Sequence, residues 1–321
     1  MSVYGQLTDI AVSFQNSYGT PLTNSQYFIP FGDESLALKK EDIVSQNKRG
    51  IFDEGASYEG KNMVEGDIGM DAQPIPLGVF LKAMFGNPTT TLVDSVYQHV
   101  YNPDTADFDI NCAKIPVTVE KHFNVGSAQQ FSDLNMTNLE FSLANGELFQ
   151  VKGSFVGGKY TRTAAAAASY PEGARWAFHT SSMALGGSAV DRFLDVTLTI
   201  DDSLEAQHTL NGSKYPSRIK RTGFRTVTLA GTLKFEDYTE MESFLNYTEQ
   251  AFRMTLTGPT QIASGYNDTF DVQLPALLIT EFEPTAGGEG PIEASFTAKG
   301  KYHVGSGNSG RFTLTNTQPA Y

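Results

Sequence analysis

Residues 64–72 read VEGDIGMDA and run directly into PIPLGVFLKAMFG at 74–86. Taken two at a time, Val64, Gly66, Ile68, Met70 and Ala72 fall on one side of an extended chain, while Glu65, Asp67, Gly69 and Asp71 fall on the other. One side is suited to a core. The other gathers carboxylates, so the question is what an acidic strand face looks at. Pro76 near a first-turn position and the stripe Leu77, Phe80, Leu81 and Met84 predict a helix over 74–85 directly after the strand.

The remaining composition agrees with a β-rich molecule. The chain has 321 residues, 40% of them hydrophobic, with 22 Phe and 14 Tyr against one Trp and one Cys. That length suffices for two ordinary domains with real cores. A single cysteine, Cys112, excludes an intrachain disulfide and a thiolate metal cluster, and reads as a small apolar filler. The start, MSVYGQLTDIAVSF, has no basic leader with an apolar run, and no stretch reaches the roughly 18 apolar residues of a membrane span. Assembly in a cytoplasm without membrane association is therefore expected, and the Asn-x-Ser/Thr triplets at Asn135, Asn211, Asn246 and Asn267 carry no glycan implication. A formal charge of −13 argues against gripping nucleic acid, which needs clustered Lys and Arg, but not against repelling it.

The sequence looks duplicated about TRTAAAAASYPEGA (161–174). Boundaries at 1–163 and 175–321, with 164–174 as linker, place one similar unit on each side. VTLAGTLKFED (227–237) alternates like 64–72, and sliding it by 165 residues sets Gly231 on Gly66 and Leu233 on Ile68. A helix over 240–250 is expected next, with Thr239 and Glu242 as a capping box. DIAVSFQN (9–16) resembles DVTLTIDD (195–202). MTNLEFSLANGELFQVKGSFVGGKY (136–160) reads as a hairpin turning at Asn145-Gly146, and LLITEFEPTAGGEGPIEASFTAKGKY (277–302) as its counterpart. The expected fold is mainly β: two tandem β-sandwich or half-barrel domains, each an antiparallel sheet with a flanking α-helix over its apolar side.

Catalytic patterns do not emerge. His99, His122, His179, His208 and His303 are scattered without metal-ligand spacing. GSGNSG (305–310) matches Gly-x-Gly-x-x-Gly formally, but RFTLTNTQ follows as extended chain where a dinucleotide turn needs a helix. The adjacent acids Asp33-Glu34, Asp53-Glu54 and Asp201-Asp202 read as solvated surface. No cofactor or metal is expected.

EGDIGMDAQPIPLGVFLKAMFG (65–86), then YQHVYNP (97–103), then KIPVTVEKHFNVGSAQQFSDLNMTNLEFSLANGELFQVKGSFVGG (114–158) resembles the ordered signature of long-tailed bacteriophage tail tube proteins. That signature has an acidic-tinged strand into a short helix, an aromatic-rich His-x-Tyr/Phe-x-Pro segment, a Pro-x-x-x-Glu strand and a Gly-turned hairpin. Half the chain carries it directly, and the rest through the repeat, beginning at RWAFHTSSMALGG (175–187). KKEDIVSQNKRGIFDEG (39–55) departs from the pattern as an insertion of the kind that forms inter-ring loops.

The resemblance implies a virion protein of the phage tail, with six tube domains per ring and inner strands joined into one barrel. A two-domain chain would fill the ring as a homotrimer with pseudo-hexameric symmetry. Stacked rings would make a negatively lined conduit for DNA ejection, in contact with tape measure, tail terminator and baseplate proteins, while genomic DNA passes without specific binding. Strand parity then aims Glu65, Asp67, Asp71, Glu140, Glu236 and Glu293 at the lumen, with Asp9, Gln150 and Asp195 as neighbours. A baseplate hub or distal tail protein is the rival within the same machine. An all-β carbohydrate-binding or hydrolytic protein is the rival outside it, and the lone Trp176 offers such a binder little platform.

Overall fold

The structure, a computed structural model, describes residues 4–21, 27–48, 50, 52–103, 114–287 and 290–321. Cys112 and part of the 286–292 turn lie outside the described residues. The first strands are β1 (Asp9–Phe14), β2 (Tyr27–Phe28), β3 (Asp33–Glu34), β4 (Ala37–Val44) and β5 (Ser57–Asp71), followed by helix α1 (Pro74–Phe85). Next come β6 (Thr89–Val93), β7 (Val96–Tyr101), β8 (Val117–His122), β9 (Ala128–Ala144) and β10 (Gln150–Thr163). After an irregular stretch follow β11 (Ser181–Leu185), β12 (Ser188–Ala189), β13 (Phe193–Asp201), β14 (Leu204–Gln207), β15 (Arg218–Arg221) and β16 (Thr226–Lys234). Helix α2 (Thr239–Leu245) and β17 (Glu249–Ala263), β18 (Tyr266–Thr285), β19 (Glu293–Gly300) and β20 (Arg311–Asn316) complete the described chain. The fold is mainly β, as the alternation predicts.

One antiparallel run organises it, in the order β4, β5, β10, β9, β13, β16, β19, β18. Alternation gives this sheet one apolar face: Val64, Ile68, Met70, Phe155, Leu139, Phe141, Leu198, Ile200, Leu229, Leu233 and Phe296 are all buried. Each such side chain contributes roughly 1.5–3 kcal/mol by leaving water. The second layer lies against that face. It is built where the long strands β9 and β18 continue past the first layer, pairing there with β8 and with β17 and β20. β1 and β2 extend this layer from β8, and β7 and β6 from β20.

Helix α1 fills the space between the layers, so its burial goes beyond the predicted stripe: every residue except Ile75 is buried. Pro74 and Pro76 suit its first turn, where their missing N–H groups have no partner to lose. Gly153 on β10 leaves room for Phe80, since a Cβ there would lie 2.8 Å from the ring. Phe85 stacks on Phe312 of β20 at 4.7 Å. Trp176 is fully buried between Phe149 and Phe270, and so is unavailable as a binding platform.

Three expectations are corrected. The second helix ends at Leu245 rather than 250, because Tyr247 adopts φ 55° and β17 begins at Glu249. Its first turn is capped by Asp237, whose Oδ1 accepts from Thr239 N at 2.9 Å, and not by a Thr239 box. Segment 9–16 does not match 195–202 in place: β1 pairs with β2 and β8 in the second layer, whereas β13 lies between β9 and β16. The position beside β5 that corresponds to β13 is taken by β3 and β4.

Candidate functional face of the long sheet

The face of the long run turned away from the core is predominantly polar. One row crosses seven strands as Asp71, Gln150, Ser142, Thr197, Ala230, Thr297 and Glu281. The next reads Asp33, Gly69, Lys152, Glu140, Thr199, Thr228 and Lys299. Glycine at 66 follows from crowding by the backbone of Ser35 and Leu36, whereas at 69 only the Asp33 side chain is close. Gly66 has φ 149°, and a Cβ there would lie 2.5 Å from Leu36 Cα, while at Gly69 it would meet the Asp33 carboxylate at 2.1 Å.

Neither glycine breaks the parity. β5 pairs β10 without a shift from Asp71↔Gln150 to Val64↔Gly157, and β16 pairs β19 without a shift from Val227↔Gly300 to Lys234↔Glu293. Glu65, Asp67, Asp71 and Glu140 therefore share one face, and Glu293 joins it from the far end beside Lys234. Glu236 does not: β16 ends at Lys234, and Glu236 lies past the ladder with its carboxylate 3.8 Å from Arg192. Asp9 is in the second layer, where its Oδ1 accepts from the Tyr170 hydroxyl at 2.7 Å.

The face is negative but laced with cations. Within the ladder, Asp33, Glu65, Asp67, Asp71, Glu140, Asp195, Asp201, Glu281, Glu283 and Glu293 share it with Lys39, Lys152, Lys234 and Lys299, so carboxylates outnumber lysines ten to four. Lys152 lies 3.3 Å from Asp67, Lys39 4.0 Å from Glu65, and Arg175 3.7 Å from Asp71. The Asp67 carboxylate, with Asp33 and Glu140 nearby, raises the Lys152 ammonium above its ordinary value. The remainder is mostly Thr, Ser, Asn and Gln, with Ala37, Ala144, Val156 and Ala230 among them. The acids of β18 were legible in TEFEPT, where Glu281 and Glu283 alternate with buried Phe282, but the bulge before them hides their register.

Asp202 is a different kind of acid from its neighbour. Its side chain is fully buried, hydrogen-bonded by Lys114 and facing Arg225 at 2.5 Å and Arg221 at 2.7 Å. Burial alone would lift this carboxyl, yet the Lys114 and Arg225 charges outweigh it and hold it below the ordinary carboxylate range. Burial also lowers the Lys114 ammonium, against the pull of Asp202. Lys114 precedes β8 and further donates to Met136 O at 3.0 Å, so the cluster clamps the stretch after β13 onto the first half of the chain. The surface reading of Asp201-Asp202 thus holds for Asp201 and fails for Asp202.

Among the described residues no group of three or more His, Cys, Asp and Glu could hold a metal ion. No described helix is long and apolar enough to cross a membrane. The described chain is thus a layered antiparallel β protein with one broad, predominantly polar sheet face. The family described as phage tail tube protein matches residues 5–300, and the chain belongs to it. It is accordingly a structural component of a phage tail. The comparison with curated proteins returned no match.

Proposed function

We propose that the two parts of the chain, 1–163 and 175–321, are repeats of one tube unit, and that three copies close into a pseudo-hexameric ring. Rings stack into the tail tube, whose channel is lined by the polar face of the long sheet and conducts DNA at ejection. The observation that carries this reading is that face: continuous over eight strands, net acidic, and bounded by β4 on one side and residues 281–285 of β18 on the other, each paired on one side only among the described residues. Three copies would supply about 24 strands, which at ~4.8 Å spacing and ~40° tilt make a wall of ~50 Å diameter. About 40 Å remains inside the side chains, enough for a hydrated duplex. A wall bearing more carboxylates than lysines repels phosphate and holds no genome in transit. The partners of such a tube are further copies of itself, the tape measure within it, and the terminator and baseplate proteins at its ends, assembled in the host cytoplasm.

Reversing Glu65, Asp67 and Asp71 to Lys tests the reading. These side chains are substantially exposed and contribute little to stability, so rings should still form. Particles carrying them should eject DNA slowly or incompletely at low salt and recover at high salt, because added phosphate contacts weaken with salt. Unchanged ejection, or a tube structure with these acids on its outer surface, would remove the lumen assignment.

A further inference from the structure

The two edges of the long sheet differ in a way that assigns them to each other. At one end β4 pairs only with β5, leaving its other side open; at the other end residues 279–285 of β18 pair only with β19. Inside the chain an equivalent junction is already made, where residues 138–144 of β9 pair with β13. Its register can be carried over, because a bulge marks the same place in both hairpins. Thr137 is skipped between Asn138↔Ser154 and Met136↔Phe155, and Thr280 between Glu281↔Thr297 and Ile279↔Ala298. Each bulged threonine donates its hydroxyl to the carbonyl 17 residues on, Thr137 to Ser154 O at 3.2 Å and Thr280 to Thr297 O at 3.1 Å.

With that anchor, Asn138 corresponds to Glu281 and Ser154 to Thr297. Following the ladder, Asp67 corresponds to Ala230, an offset of 163 and not the 165 expected from Gly66 and Gly231. The ladder then sets Ala37, Leu38 and Lys39 where Thr199, Ile200 and Asp201 stand in the second half. In the internal junction Asn138 faces Asp201, Leu139 faces Ile200 and Glu140 faces Thr199.

We infer that β4 of one copy pairs antiparallel with residues 281–285 of the next, with Glu281 opposite Lys39, Phe282 opposite Leu38 and Glu283 opposite Ala37. This rests on the ring reading and specifies its seam. The chemistry of the two edges agrees with it independently: Lys39 on one meets Glu281 on the other, on the polar face, and Leu38 meets Phe282 on the apolar face, where Leu38 is only partly buried in the single chain. A cross-strand pair of opposite charge over an apolar pair favours this register, and pairing removes the exposed edges that invite aggregation.

Cysteine pairs test the register in a Cys112→Ser background. Ala37→Cys with Glu283→Cys places two Cβ atoms directly opposite, within disulfide reach, whereas Ser35→Cys with Glu281→Cys is four positions out of register. Under mild oxidation the first pair should convert most chains of assembled tubes to linked dimers and trimers, and the second should not. Linking by the second pair, or by neither while electron microscopy shows tubes, would overturn the register and leave the tube reading standing. Wild-type protein that makes neither rings nor tubes would remove the tube reading itself. Should the cysteine variants fail to assemble, Lys39→Glu and Glu281→Lys decide: each alone should lower tube yield at low salt and the two together should restore it. A double variant no better than the singles would overturn the pairing.

Discussion

Gly78 of α1 lies beneath the ring of Tyr321: a methyl group on Gly78 would stand 2.0 Å from the ring Cζ. The tyrosine is held there by its hydroxyl, which donates to Pro74 O at 3.2 Å, and by an edge contact with His99 at 5.0 Å between ring centroids. Lys82 of the same helix donates to the Tyr321 carbonyl. Residues 317–321 are thereby strapped across the one helix that fills the core.

Gly78→Ala should therefore destabilise the unassembled chain by about 1–3 kcal/mol in urea unfolding, although alanine is the better helix former. In a Tyr321→Ala background the same change should cost little or be favourable. Equal costs in both backgrounds would show that the ring does not impose the glycine.

Asp202→Asn leaves Lys114, Arg221 and Arg225 around a neutral amide, and removing one member of a buried ion cluster costs about 3–5 kcal/mol. Asp201→Asn, one residue away and half-buried on the polar face, keeps an oxygen to accept from Ser203 N and should cost under about 1 kcal/mol. Similar urea midpoints for the two variants would contradict the clamp described above.

Asp268 is almost wholly buried, and burial pushes its carboxyl up to about 6. A raised acid pKa means the native state holds the proton more tightly than the unfolded chain. Stability contributed by the neutral form is thus fully present only below the ordinary value of 3.8, and is lost as pH rises through about 6. Asp268→Asn should gain about 2–3 kcal/mol over wild type at pH 7.5 and nothing at pH ~2.5, because each tenfold change in proton affinity is worth about 1.4 kcal/mol. A stability difference independent of pH would sink this assignment.

Thr137→Val and Thr280→Val each delete one bulge hydrogen bond while keeping side-chain shape, and each should cost about 1 kcal/mol. The two losses should be alike, since the two hydroxyls perform the same task in matching hairpins. A large cost at one site with none at the other, measured by denaturant titration, would argue that only one bulge depends on its hydroxyl.

Local alternation was the legible part. Strand β5 and the shared face of Glu65, Asp67, Asp71 and Glu140 follow from period-two patterning in a stretch with one buried side, helix α1 from its first-turn proline and helical apolar stripe, and the hairpin from its Asn145-Gly146 turn. What could not be read is pairing between distant strands. β1 and β13 alternate alike, but β1 pairs with β8 and β13 with β9 and β16, because alternation says which side is buried and not which layer it is buried against. The burial of Asp202 was hidden for the same reason: its partners stand 88 residues before it and 19 and 23 after it, and no local pattern announces them. In the proposed repeat correspondence the offset differs by two residues from that of glycine on glycine, because Gly66 owes its identity to crowding by Leu36 and Gly231 to the carbonyl of Asp195.

The docking of β13 on β9 within one polypeptide has a kinetic consequence. In the proposed ring, alternate joints are completed when the chain folds, at an effective concentration set by the short 164–174 tether, and only the joints between copies wait for diffusion. Dilution would then stall growth at intact single chains whose halves are already joined, and never at separated half-units. The two kinds of joint are also free to diverge: one needs only to hold under folding, the other must recognise a neighbour, and it is at the second that Lys39 and Glu281 place opposite charges.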